Sequence, residues 1–413
     1  MPSRSAHRLS QRIGEYPRTF WILFWGSLVN SSGSSMVWPF LTIYLREKLD
    51  LPLTTVTLLL TIHSIASLVT TSIAGPIADR FGRKGVMLAS MFANSLTYLG
   101  MILATTLQSW VVLMILIGAF NPIYRVGGDS MVADLVEPPR RPNAYALLRM
   151  IINLGIAVGP AVGGFIASVS YSYVFAIASA ASMVFALIIL FLVRETKPSA
   201  SSDQRSASAA PRTGYRTVLR DYGFLTFCAI YAVAGMAYVM FMVLLPVYAK
   251  ENFGVVESQY GFIMAANAAM VVIFQYPVTS LVSRYPRLLV IAAGTFFYAV
   301  GVGSVALGQG VAGFLVSMVI LTIGELIVMP TSTALTADLA PAEMRGRYMS
   351  LYSLTFGIGV GIGPVIGGLL NDNLAPQAIW IGGFALAFLA GVGFLFLSRS
   401  PLKERLARLP AQS

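Results

Sequence analysis

Twelve predominantly apolar stretches follow one another along the 413-residue chain. Each is long enough, at about 20 residues, to cross a bilayer core as a helix. They cover about 18–45, 53–78, 84–106, 108–136, 142–169, 171–194, 222–249, 257–282, 287–308, 311–338, 342–370 and 375–398. Hydrophobic residues make up 56% of the chain and charged residues 11%, too few charges to cover a soluble surface. An all-α integral membrane protein with twelve transmembrane helices is therefore the expected fold class, and an ordinary soluble enzyme is excluded. One cysteine, Cys228, and two histidines, His7 and His63, exclude a disulfide or zinc framework.

An even number of crossings leaves both termini on one side, and the basic residues say which. Twenty-three of the 28 lysines and arginines fall in the N-terminal arm, the even-numbered interhelical loops and the C-terminal tail. With ten acids in the same segments, that side carries +13. The opposite side holds Arg46, Lys48 and Lys250 with five acids, hence −2. The net charge of +11 thus reads as topology, with both termini cytoplasmic in the cell's inner (plasma) membrane. No nucleic-acid partner is expected, because the charge is spread over seven short segments. No cleavage site follows the first apolar run, so it reads as a retained signal anchor. The tail segment Leu402–Leu409 could lie on an anionic leaflet or be solvated.

The polar, Ser/Ala/Pro-rich stretch 195–221 reads as a cytoplasmic linker between two halves. The expected layout is an arm at 1–17, a six-helix bundle at 18–194, the linker, a second bundle at 222–398 and a tail at 399–413. The halves repeat at an offset of 204. Arg46-Glu47 falls on Lys250-Glu251, Arg83 on Arg287, Asp134 on Asp338, and Arg141 on Arg345. Gly155, Gly159, Pro160, Gly163 and Gly164 fall on Gly359, Gly363, Pro364, Gly367 and Gly368. Two parallel repeats with a site between them at mid-depth are a transporter architecture.

Between the second and third runs stands Gly75-x-x-x-Asp79-Arg80-x-Gly82-Arg83-Lys84. Here the chain resembles the major facilitator superfamily, over about residues 18–398. The resemblance implies that this loop latches the cytoplasmic gate. Gly75 would permit close helix contact and Gly82 a tight turn, while Asp79 would pair with Arg83 or face a helix N-terminus. The alternative is that Arg80, Arg83 and Lys84 only anchor topology. The second copy has Ser283 for the acid and Pro286 for the glycine, so any latch there should be weaker. The glycine stripe Gly155–Gly164 with Pro160 resembles the helix-5 motif of twelve-helix drug–proton antiporters. Its presence in both halves equally suits tight helix packing. The arginine that the family carries early in helix 4, near Met114 or Leu116, is absent.

Ionisable groups inside a membrane are functional candidates by default. Arg125 and Asp129 lie four apart on helix 4, and Arg149 lies on helix 5. The turn near Pro139 places them at one depth, which predicts a cluster serving either as an ion network or as a charge relay. Glu325 on helix 10 lies 13 residues before Asp338, hence about 20 Å deep, with no basic residue within a turn. Its repeat-mate is Asn121. A lone carboxyl there is a candidate proton carrier; direct binding of a cationic substrate and a hydrogen-bonded core acid are the alternatives. Asn30 opens the run Asn30-Ser-Ser-Gly-Ser-Ser35, which should face a water-filled cavity or another helix. Asn30, His63, Asn121, Tyr231, Tyr238 and Phe241 are candidate cavity residues, with an interhelical hydrogen bond the alternative for His63.

No nucleotide-binding loop, metal cluster or nucleophile constellation occurs, so neither enzyme activity nor a cofactor is expected, and a proton gradient is the expected drive. The expected function is proton-coupled antiport of lipophilic or amphipathic small molecules by a monomer rocking between two bundles. The partners are that substrate, protons and membrane lipids. Uptake of a polar metabolite (sugar, amino acid or organic anion) and lipid flipping are the alternatives.

Overall fold

The computed structural model describes residues 16–196, 215–341 and 344–399. The expectations for most of the N-terminal arm, most of the linker and the C-terminal tail lie outside the described residues. Among the described residues there is no strand, and twelve long helices dominate. They are α1 (Arg18–Leu49), α2 (Leu53–Phe81), α3 (Arg83–Leu103), α4 (Leu107–Leu135), α5 (Arg141–Ala167) and α6 (Tyr171–Leu192), then α7 (Tyr222–Phe253), α8 (Glu257–Val282), α9 (Arg287–Ser304), α10 (Gly310–Leu339), α11 (Arg345–Asn373) and α12 (Ala378–Leu397). Eleven of them are long and apolar enough to span a bilayer; α1 is not among these. Its Asn30–Ser35 run lowers its hydropathy without breaking the helix.

Turn chemistry explains the helix ends. Gly82 sits at φ 87° before α3, and Gly254 closes α7 at φ 65°, backbone conformations that glycine adopts without penalty. Thr106 caps α4 reciprocally with Ser109, and Asp221 caps α7 through the Phe224 amide. Prolines lie inside α1, α2, α4, α5, α7, α8, α10 and α11. Membrane helices tolerate them because neighbouring groups re-satisfy the freed carbonyls.

The chain divides into two compact units. One holds the described parts of Met1–Val37 and Ile65–Ala210; the other holds Trp38–Ser64 and the described parts of Pro211–Ser413. In the first unit, Phe20, Leu23 and Phe24 of α1 pack with Met87 and Met91 of α3, Met131 of α4 and Phe185 of α6 in one buried cluster. Glycine sets the approach of α5 to α1. A methyl built on Gly159 would lie 2.7 Å from the Ser32 carbonyl, and one on Gly163 3.0 Å from the Met36 backbone. The Ser35 hydroxyl donates to the Gly155 carbonyl at 3.0 Å. Pro160 and Gly164 are buried in the same helix.

The second unit repeats this seam 204 residues on, between α11 and α7. A methyl on Gly363 would lie 2.5 Å from the Met236 carbonyl, and one on Gly359 3.0 Å from the Gly235 backbone. Ser32 and Met236 are repeat-mates, as are Gly159 and Gly363. Gly75 differs: nothing lies within 4 Å of a methyl built there. The close helix contact expected at Gly75 is therefore not formed, because that face of α2 is open.

Candidate functional site

The α2–α3 loop is held within the first unit. Arg83 lies 3.1 Å from Asp79 and 3.2 Å from Asp134 of α4. Glu195, just past α6, accepts the Arg83 and Lys84 backbone N–H groups at 3.0 and 3.1 Å. A side chain on Gly82 would collide with that carboxylate, so glycine serves here both for its positive φ and for the space. Lys84 donates to the Leu190 carbonyl at 2.8 Å, and Arg80 lies over the Phe81 ring at 5.5 Å. Of the two partners considered for Asp79, the structure shows Arg83. The second unit retains half of the device, the ion pair between Arg287 and Asp338. Pro286 caps α9 at φ −57° where Gly82 stands at +87°.

Arg125, Asp129 and Arg149 do not form the expected cluster. All three are exposed, and no ion pair joins any of them among the described residues. The α5 side chain that reaches the Asp129 turn is Tyr145, whose hydroxyl donates to the Asp129 carbonyl at 2.8 Å. That corrects the reading of an ion network pinning α4 to α5: Arg125 acts electrostatically on Asp129 of its own helix, and no ion pair from Arg149 bridges to them among the described residues.

Glu325 lies on α10 in the second unit and is half-buried. Asn267 of α8 donates its amide hydrogens to Glu325 Oε2 and to Thr322 Oγ1, each at 2.9 Å. Thr322 in turn donates to the Met318 carbonyl at 2.7 Å. One NH2 group thus serves two acceptors with its two protons. Tyr238 of α7 lies close enough to the carboxyl to interact with it electrostatically. The Tyr238 ring packs on Tyr298 with centroids 5.3 Å apart. A second tyrosine pair lies nearby in the same unit: Tyr352 donates to the Tyr231 hydroxyl at 2.9 Å, with rings 4.9 Å apart. Among the described residues Glu325 makes no ion pair. The group is a carboxyl held by a neutral donor, with no fixed counter-charge.

The other candidates divide. Asn30 accepts a hydrogen bond from Ser182 at 3.1 Å, and Ser31 and Ser35 meet Gly155 and Gly159. The polar run in α1 therefore meets α5 and α6 through these residues. Phe241 is fully buried, its ring 6.2 Å from that of Trp380, and Tyr231 is buried on Tyr352. Both belong to the packed interior of the second unit. Asn121 is half-buried on α4. His63 packs edge-on against Trp38 at 4.7 Å, and neither ring nitrogen finds a hydrogen-bond partner. The interhelical hydrogen bond considered for His63 is not made. Sequence reasoning missed Asn267, Thr322 and Tyr298. The available signal was Asn267, an amide in the middle of an apolar run, and a repeat-mate of His63.

The sequence matches the family profile described as Major Facilitator Superfamily over residues 23–255 and 227–412. It is 24% identical to the Na(+), Li(+), K(+)/H(+) antiporter of Planococcus maritimus, over 94% of this chain and 95% of that one. It is also 24% identical to multidrug resistance protein MdtH of Escherichia coli (strain SMS-3-5 / SECEC), over 81% and 83%. The crystal structure of the nucleoside transporter NupG superposes with a TM-score of 0.74 at 14% identity, covering 93% of this chain and 100% of that one. Twelve long helices, the repeated ion pairs and glycine seams, and a profile spanning both halves converge: the chain belongs to the major facilitator superfamily of transporters.

Proposed function

We propose that the chain is a proton-coupled antiporter that exports lipophilic or amphipathic small molecules by rocking of its two repeats, with both termini cytoplasmic. The observation that carries this reading is Glu325: a mid-helix carboxyl with a neutral hydrogen-bond donor and no fixed cation. A buried carboxylate without a counter-ion is unfavourable in low dielectric. A site of this kind therefore alternates between holding a proton and giving it up when another ligand or water arrives. Asn267 fixes the carboxyl's position, while the tyrosine rings around it supply an apolar wall with polar tips. Two relatives of this chain bear antiporter and multidrug-resistance names, which supports exchange and export. The Asp79–Arg83 loop serves as the cytoplasmic latch, in a monomer that needs no cofactor.

Reconstituted protein in acid-loaded proteoliposomes tests the reading. Addition of candidate drugs should dissipate the proton gradient, followed with an internal pH dye, and Glu325→Gln should abolish the response. Equal responses from wild type and Glu325→Gln would remove the coupling assignment. Uptake of an organic anion is the second reading, favoured by the exposed arginines Arg125 and Arg149 of the first unit. It predicts that anionic solutes, and not lipophilic ones, shift the thermal unfolding of the protein.

A further inference from the structure

Two amide side chains of α8 grip α10 at neighbouring points, all within the second unit. Asn267 shares its NH2 between Glu325 and Thr322. Gln275, about two turns further along α8, shares its NH2 in the same way. Its Nε2 donates to the Thr279 hydroxyl of its own helix at 3.0 Å and to the backbone carbonyl of Leu326 on α10 at 3.1 Å. Leu326 follows Glu325 directly. The two amides therefore hold a carboxyl and the carbonyl of the next residue.

The Leu326 carbonyl is a special acceptor. In an unbroken α-helix the residue four further on donates its N–H to such a carbonyl. Here that residue is Pro330, which has no N–H and whose ring crowds the carbonyl four residues back. Leu326 is 1% exposed, and a buried carbonyl without a donor is costly. Gln275 supplies, from a neighbouring helix, the donor that proline withholds, which is how membrane helices carry internal prolines. The parts also occur together. Under the offset of 204, Glu325 falls on Asn121, Asn267 on His63, Gln275 on Thr71 and Pro330 on Val126. Thr71 donates to the Ser67 carbonyl of its own helix, and α4 has its proline four residues earlier, at Pro122. The carboxyl, both amides and a proline at this register are thus confined to the second repeat. Packing alone does not require that Gln275 and Pro330 accompany the acid.

We infer that Gln275 is a positioning residue for Glu325: by filling the carbonyl that Pro330 leaves open, it fixes the bend of α10 one residue from the carboxyl and keeps the carboxyl on the Asn267 amide. Without Gln275, α10 turns at Pro330 toward another donor, and Glu325 leaves Asn267. The consequence for transport rests on the reading of Glu325 as the proton carrier; the positioning itself does not.

A double-mutant cycle in the full-length protein tests it. Gln275→Leu removes the donor. Pro330→Ala restores the backbone N–H, so that the Leu326 carbonyl no longer depends on Gln275. Two quantities are read: thermal unfolding in detergent, and modification of Glu325 by a hydrophobic carbodiimide, counted by peptide mass spectrometry with Glu325→Gln as the blank. With Pro330 in place, Gln275→Leu should lower the unfolding temperature by about 2 °C or more. It should also speed modification of Glu325 by about threefold or more, because a carboxyl released from Asn267 is open to the reagent. In Pro330→Ala the same substitution should change both far less. A Gln275→Leu protein that folds only with Pro330→Ala supports the dependence in its strongest form. Equal losses with and without Pro330 would overturn it, and so would a cycle seen in unfolding but not in Glu325 modification. Substrate-driven proton movement in proteoliposomes should fall in Gln275→Leu and recover in the double variant. If Glu325→Gln leaves proton movement intact while the cycle persists, the coupling reading fails and the positioning role stands.

Discussion

Arg83 stands 3.2 Å from Asp134, and the same pair recurs 204 residues later as Arg287 and Asp338. In both halves the arginine begins the third helix of its repeat and the acid closes the fourth, so the pair ties together helices related by the same operator. Only the first copy extends further, because Arg83 also pairs with Asp79 and its backbone N–H is capped by Glu195.

This asymmetry predicts unequal losses. Arg83→Ala leaves two carboxylates without their shared cation and is expected to destabilise the protein by about 1–3 kcal/mol. Arg287→Ala removes a single, more exposed pair and should cost about 1 kcal/mol or less. Arg83→Lys keeps the charge but not the planar fork, and should fall between parent and alanine. Thermal unfolding of the three variants in one detergent measures the order.

Glycine positions that look alike in sequence should respond differently. Gly159→Ala puts a methyl 2.7 Å from the Ser32 carbonyl, and overpacking of this kind costs about 1–3 kcal/mol. Gly75→Ala meets nothing within 4 Å and gains helix propensity of up to about 1 kcal/mol. The first should lower the unfolding temperature and the second should hold or raise it. Equal effects would mean that α5 and α1 are not in the contact described.

How much was legible follows from these residues. Twelve helices and their repeat could be read because apolar length and matched Gly, Pro and charge survive without an alignment. Glu325 was legible as a mid-helix acid, but its neighbours were not. Asn267 is 58 residues away in sequence, and Tyr238 lies on a third helix. Depth arithmetic placed Arg125, Asp129 and Arg149 at one level yet said nothing of which way each side chain turns, and no ion pair joins them among the described residues. Phe241 shows the same limit, since an aromatic on an all-apolar helix carries no mark of core or cavity.

Asn267→Leu should therefore act as a positioning variant. It removes the donor shared by Glu325 and Thr322, and losing a hydrogen bond to a charged group costs about 1.5–3 kcal/mol. Substrate-driven proton movement in proteoliposomes is expected to fall roughly tenfold or more, with Asn267→Gln or Asn267→Ser restoring part of it. Leucine and glutamine variants of equal activity would show that the amide does not hold the carboxyl.

His63 gives the last expectation. Among the described residues its buried ring nitrogens have no hydrogen-bond partner, and its ring packs edge-on against Trp38. A buried polar group left unsatisfied costs about 1–3 kcal/mol, and replacing it by an apolar side chain of similar shape can stabilise. His63→Leu or His63→Phe is thus expected to raise the unfolding temperature of the purified protein. Phenylalanine should preserve the edge-on packing with Trp38 better than leucine. If both variants instead unfold earlier than the parent, the imidazole has a partner, such as a bound water, that stabilises it in the folded protein. If they unfold later but transport less, the orphaned nitrogens serve the substrate or proton route at a known expense in stability, which is the pattern expected of a functional polar group in a membrane interior.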